Sequence, residues 1–143
     1  MSIGEICIRE VVIARATDSI HKAAQLMRDY SVRTVIITEN RHPIGILTDR
    51  DITIRVVAEG NDPHQSLVKD VMSARLLTVR ESASVGDGIR IMRGRGIRRL
   101  PVIDQQGKLV GIVTLDDLID LLAEEMSALA GLIRYEQEKE KQK

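Results

Sequence analysis

Aromatic side chains are almost missing from this chain: Tyr30 and Tyr135 stand alone among 143 residues, with no Phe or Trp. A binder of single-stranded nucleic acid normally offers stacking rings, so that class loses its main device. An excess of charge of one sign is missing too. The 21 basic and 21 acidic residues give a formal net charge of zero, whereas a general phosphate-backbone binder would be basic. Cysteine occurs once, at Cys7, which excludes an internal disulfide and suits a reducing cytoplasm. No apolar run approaches the length of a membrane span, and the N-terminus carries no signal-peptide pattern. The reading is a cytoplasmic protein that engages neither membrane nor nucleic acid.

What remains is ordinary globular composition, 43% hydrophobic and 29% charged, enough for one compact domain with a real core. It is written twice. The segment Ile44-Gly45-Ile46-Leu47-Thr48-Asp49-Arg50-Asp51 returns as Val110-Gly111-Ile112-Val113-Thr114-Leu115-Asp116-Asp117. Gly45 falls on Gly111 at an offset of 66, which carries Thr48 onto Thr114 and Asp51 onto Asp117. Upstream the best offset is 65, with Ile20 on Val85, Met27 on Met92 and Val32 on Ile97. The one-residue change falls in the polar turns "TENRHP" and "DQQGKL", where length varies easily. A period this long marks a repeated supersecondary unit, and each copy is too small to bury a good core alone.

Each copy reads β-α-β-β-α. Val11–Ile13 and Leu76–Val79 are short extended segments, and helices follow with apolar residues at helical spacing through Met27 and Met92. Thr17 or Ser19, and Ser82 or Ser84, can cap them. Hairpins are predicted from Thr34–Thr38 with Ile44–Leu47, and from Leu100–Ile103 with Leu109–Val113. The helix after the first hairpin should run from about Asp51 to Glu59 and stop at Gly60. The divisions are residues 1–60 for the first repeat, 61–66 for the linker, 67–126 for the second repeat and 127–143 for a helical extension. In the last helix Ile119, Leu122, Met126, Leu129 and Ile133 follow a 3-4-3-4 spacing. That seam packs either on its own domain or on a second copy.

Thr-x-x-Asp at a strand-to-helix junction fits a capping box that satisfies free backbone N–H groups. The same geometry is a ready site for anions and hydroxyls, and a carboxylate there can accept two hydrogen bonds from a ribose diol. The two readings are compatible. Other residues read as structure. His21, His42 and His64 show no ligand-like spacing with Cys7, so no metal site is expected. Cys7 has no evident activating base.

The doubled β-α-β-β-α unit, with "GIRRLPVID", "GILTDRD" and "GIVTLDD", resembles a tandem pair of cystathionine-β-synthase (CBS) domains, a Bateman module, over about residues 3–126. The resemblance implies an α/β (α+β) fold in which two repeats pack about a pseudo-two-fold axis and leave two clefts lined by both. It implies an adenosine-containing ligand such as AMP, ADP, ATP, NAD or S-adenosylmethionine, with the ribose on the signature aspartate. One cleft would use Ile46, Thr48 and Asp51 with Met72, Leu77, Ile97, Arg98 and Arg99. The other would use Cys7, Val12, Val32 and Arg33 with Ile112, Thr114 and Asp117. Repeat one departs at Ile36, where repeat two has Pro101, so the two hairpins should sit slightly differently. Arg90, Arg93, Arg95, Arg98 and Arg99 make the approach to the first cleft the more basic, which points to a more highly charged ligand there, or to tighter binding of one. The implied role is regulatory ligand sensing as a homodimer, either a disc of four repeats or a C-terminal helix contact, with a protein target. The alternatives are a structural dimerisation unit with empty clefts, and an enzyme. The last lacks a nucleophile–base pair, a metal cluster and a phosphate-cradling loop.

Overall fold

The doubled sequence builds two mixed three-stranded sheets in a computed structural model that describes residues 1–142. In the first lobe β1 (Ile13–Ala14) runs parallel to β2 (Thr34–Glu39), which pairs antiparallel with β3 (His42–Thr48). In the second, β4 (Val79–Arg80) runs parallel to β5 (Arg99–Ile103), which pairs antiparallel with β6 (Leu109–Thr114). The crossovers are α2 (Ile20–Tyr30) and α5 (Val85–Arg95). Of each pair of candidate caps the second is used: Ser19 Oγ accepts from the Lys22 N–H at 3.1 Å and Ser84 Oγ from the Asp87 N–H at 3.0 Å.

The departure at Ile36 and Pro101 has a local effect. The hairpin registers match, Ile36 opposite Ile46 and Pro101 opposite Ile112. The Ile36 N–H donates to the Val12 carbonyl at 3.1 Å. Proline has no N–H to donate. Parallel pairing therefore starts at Ile13–Ile36 in the first lobe and one position later, at Val79–Val102, in the second. The helix after β3 also differs from expectation. It is α3 (Asp49–Ile52), one turn, continuing as a π-helical turn over Thr53–Val57. The Ala58 N–H donates to the Thr53 carbonyl, five residues back. The β-branched run Ile52-Thr53-Ile54 crowds an α-helix, and the wider turn seats Val56 fully in the core.

The packed lobes do not follow the written repeats. The short helix α1 (Ile3–Ile6) leaves the first repeat and packs on the second lobe, where Ile3 is fully buried with Met92, Leu100 and Leu118. Its Ile3 and Gly4 N–H groups donate to the Ala83 and Glu81 carbonyls at 2.8 and 2.9 Å. The short helix α4 (Val68–Val71) does the converse: Val68 joins Ile20, Ile37 and Leu47, and its N–H donates to the Asp18 carbonyl at 2.8 Å. Four isolated bridges record the exchange as reciprocal pairs. Ser2–Ser84 is mirrored by Leu67–Ser19, and Ile8–Ile112 by Ser73–Ile46. A pseudo-two-fold axis requires such reciprocity.

Each exchanged arm crosses a hairpin strand at a glycine. A Cβ on Gly45 would sit 2.4 Å from Met72 Sδ, and one on Gly111 would sit 2.7 Å from Cys7 Sγ and 2.9 Å from the Ile8 carbonyl oxygen. Met72 is a flexible side chain that can give way, whereas the Ile8 carbonyl is backbone held in a bridge. Gly111→Ala is expected to destabilise by about 2 kcal/mol, lowering the thermal midpoint by roughly 5–10 °C. Gly45→Ala should lower it by less than half as much, and paired melting curves decide the order.

Candidate functional site

The arms, hairpins and following helices enclose two related clefts. The first, about 220 Å³, is lined by Ile46 and Thr48 from one lobe and by Arg75, Leu76, Leu77, Ile97, Arg98 and Arg99 from the other. The second, about 230 Å³, takes Val11, Val12, Val32, Arg33 and Thr34 with Ile112 and Thr114, together with Ile8, Glu10 and Arg99. Beyond it an apolar groove of about 560 Å³ runs along Ile13, Leu26 and Tyr30.

Both clefts end at a helix start. The Thr48 N–H donates to Asp51 Oδ2 at 2.9 Å, and the Asp51 N–H donates to Thr48 Oγ1 at 3.2 Å. This is a complete capping box. At α6 (Leu115–Lys141) only half of it forms: the Asp117 N–H donates to Thr114 Oγ1 at 3.1 Å. Asp117 Oδ2 is buried with no hydrogen-bond partner among the described residues, as is Thr34 Oγ1 on the wall of the second cleft. A buried carboxylate oxygen without a donor is expensive in a folded protein.

The arginines at the head of each hairpin are fixed through their backbones. The Asp49 N–H donates to the Arg33 carbonyl at 3.0 Å and the Leu115 N–H to the Arg98 carbonyl at 2.8 Å. Each thus ties down its own lobe's helix start and lends its side chain to the cleft shared with the other lobe. Among the described residues Arg33, Arg75, Arg98 and Arg99 make no ion pair within 4.0 Å and no side-chain hydrogen bond. The first cleft carries three arginines and no acid, the second two arginines and Glu10. Arg90, Arg93 and Arg95 are outside that lining; Arg90 pairs with Asp87 on the face of α5.

Of the residues expected in the first cleft, Ile46, Thr48, Leu77, Ile97, Arg98 and Arg99 line it, Asp51 stands behind Thr48, and Met72 packs against the first core. In the second, Val12, Val32, Arg33, Ile112 and Thr114 form the wall, Asp117 lies one turn back, and Cys7 packs against the second core over Gly111. Burial pushes the Cys7 thiol up, and Arg9 offsets this only in part, so Cys7 stays a neutral thiol. Sequence reasoning missed Arg75, Leu76, Ile8, Glu10, Val11 and Thr34. Leu76 and Val11 hold equivalent places in the extended arms, one step from Leu77 and Val12, and that equivalence was the available signal. It also missed that Arg99 lines both clefts.

Two arm-exchanged repeats around a pair of clefts define a tandem-repeat pair. The family model for the CBS domain matches twice, at residues 3–58 and 68–124, and the chain belongs to that family. An uncharacterized protein of Methanopyrus kandleri is 38% identical over 122 residues, covering 85% of this chain; the chain spans 62% of that relative. The CBS domain-containing protein YhcV of Bacillus subtilis is 38% identical over 117 residues, covering 82% of each. Among solved structures, the cytosolic domain of the Mg2+ channel MgtE in complex with ATP matches with a TM-score of 0.73 at 25% identity, covering 84% of this chain and 48% of that one.

The two aspartates should behave differently in the ligand-free protein. Asp51→Ala removes a cap acceptor and is expected to cost about 1 kcal/mol, a drop of roughly 3–5 °C in midpoint. Asp117→Ala removes an oxygen that has no bond to lose, so its midpoint should equal or exceed that of the parent. Thermal denaturation of both variants without added nucleotide checks the pair.

Proposed function

We propose that this chain is a regulatory sensor that binds an adenosine-containing ligand between its two repeats. The observation that carries the reading is the first cleft. Three arginines without protein partners surround a Thr-x-x-Asp helix start, which is the chemistry of a phosphate next to a ribose. Apolar walls at Ile46, Leu77 and Ile97 suit a flat base. The ATP complex of the MgtE cytosolic domain, a fold relative, supports the same ligand class. AMP, ADP, ATP, NAD and S-adenosylmethionine all belong to it. The first cleft takes the more highly charged ligand, because Glu10 tempers the second. In the second, Asp117 Oδ2 offers an acceptor that no protein donor occupies.

Such a ligand touches both lobes at once, so its binding shifts their relative packing and gives a protein target two states to read. The working unit in this reading is a homodimer that senses rather than catalyses. Among the described residues no group of three His, Cys, Asp or Glu side chains could hold a metal, and no helix is long and apolar enough to cross a membrane.

A melting scan with AMP, ADP, ATP, NAD and S-adenosylmethionine tests the proposal. A ligand at about 100 times its dissociation constant adds roughly 2.7 kcal/mol, a rise of roughly 5–10 °C. Arg98→Ala/Arg99→Ala should abolish most of the rise for ATP. No rise with any of the five, in protein shown to carry no ligand, overturns the proposal and leaves a structural pairing unit. Because Arg99 lines both clefts, Arg99→Ala should weaken titrations at both sites, and Arg98→Ala at one.

A further inference from the structure

The last helix leaves its own lobe after about two turns, with Leu121 still half-buried and every residue from Leu122 exposed. Leu118 is the only buried residue of the 27 in α6. The seam Ile119, Leu122, Met126, Leu129 and Ile133 is between 52% and 70% exposed. The seam therefore does not pack on its own domain. A 3-4-3-4 apolar spacing sustained over these turns is the pattern by which two α-helices mesh side by side, and it is self-complementary. We propose that α6 pairs with α6 of a second copy as an antiparallel two-stranded coiled coil. This goes beyond the ligand reading and does not depend on it.

Area favours a second copy. Burying a large aliphatic side chain corresponds to roughly 60–100 Å², so the five seam residues and the flanking Leu132 supply roughly 500 Å² per copy. The two copies together reach about 1,000 Å², the size at which a specific interface begins.

Charge sets the direction. The first half of α6 carries Asp116, Asp117, Asp120, Glu124 and Glu125 and no base. Its bases, Arg134, Lys139 and Lys141, all lie in the last turns, where they alternate with Glu136, Glu138 and Glu140. A parallel pair would set five acids beside five acids, which is repulsive. An antiparallel pair instead sets the acidic half beside a stretch of no net charge that holds the helix's only bases. Small residues agree: Ala123 and Ala130 flank the seam on one side two turns apart. With Met126 against Leu129 of the second copy, and Leu122 against Ile133, these alanines face each other across the pair and let the helices approach closely.

The test uses the full chain. Light scattering should give a mass at least twice the 16.0 kDa of one chain, and Leu122→Glu/Leu129→Glu should halve whatever mass the parent shows. The variant's melting should stay unchanged under dilution, because these side chains are outside the lobes. If the lobes also pair, the halving runs from four chains to two. An unchanged mass, or a monomeric parent, overturns the proposal and assigns the seam to a different protein. Direction is read in a Cys7→Ser background. Ala123→Cys/Ala130→Cys should form disulfide-linked dimers on oxidation, since the two sites are too far apart within one helix to join. Efficient linking through Leu129→Cys alone, without linking in the double variant, would mean a parallel pair and overturn the orientation.

Discussion

The crossing of each N-terminal arm over the other repeat's hairpin is the contact on which the rest depends. At Gly111 the backbone of Ile8 comes so close that no Cβ fits, and at Gly45 the Met72 side chain fills the same space. These crossings hold the lobes together through paired backbone bonds, Ile8 with Ile112 and Ser73 with Ile46. They also form the clefts, since the residues after each crossing, Val11–Val12 and Leu76–Leu77, become cleft wall. Stability and site thus come from one geometric requirement: two short extended segments must pass over two strands, and glycine is the residue that permits it.

Around this symmetric frame the differences between the repeats carry the chemistry. Thr34 and Arg99 occupy equivalent places, yet one leaves a buried hydroxyl without a partner and the other reaches two clefts with a guanidinium. Asp51 closes its capping box and Asp117 does not. Each difference is a change of a few atoms in an otherwise repeated backbone. The two clefts consequently differ in charge and in free hydrogen-bonding capacity while sharing a shape.

Much of this is legible in the sequence. The doubled hairpins and helices follow from local apolar spacing and turn chemistry, and most of the cleft wall follows from placing Gly45 on Gly111. What was not legible depends on packing. Nothing local says that Ile3 is buried against Met92 rather than with its own repeat, because apolar patterning marks burial without naming the partner. Arg99 could not be assigned to both clefts before the axis was located, since equivalence between repeats predicts one cleft per residue. The π-helical turn at Thr53–Val57 reflects a contest between β-branched crowding and the burial of Val56, which spacing alone does not decide. The exposed seam of α6 was visible as a pattern; only the fold shows that its own lobe leaves it uncovered.

The arm exchange also orders events in time. Every core residue of the first lobe lies between Ala14 and Val71, so that lobe's core is complete soon after α4 emerges from a ribosome. The second is different: Ile3 is made well before its buried neighbours, which run from Val79 to Leu118. The N-terminal arm must therefore wait, unsatisfied, while the first lobe condenses beside it, and then close a loop of at least 76 residues, from Ile3 to Val79 or beyond, onto a partner synthesised later. Residues translated ahead of both cores are thus among the last to find their place.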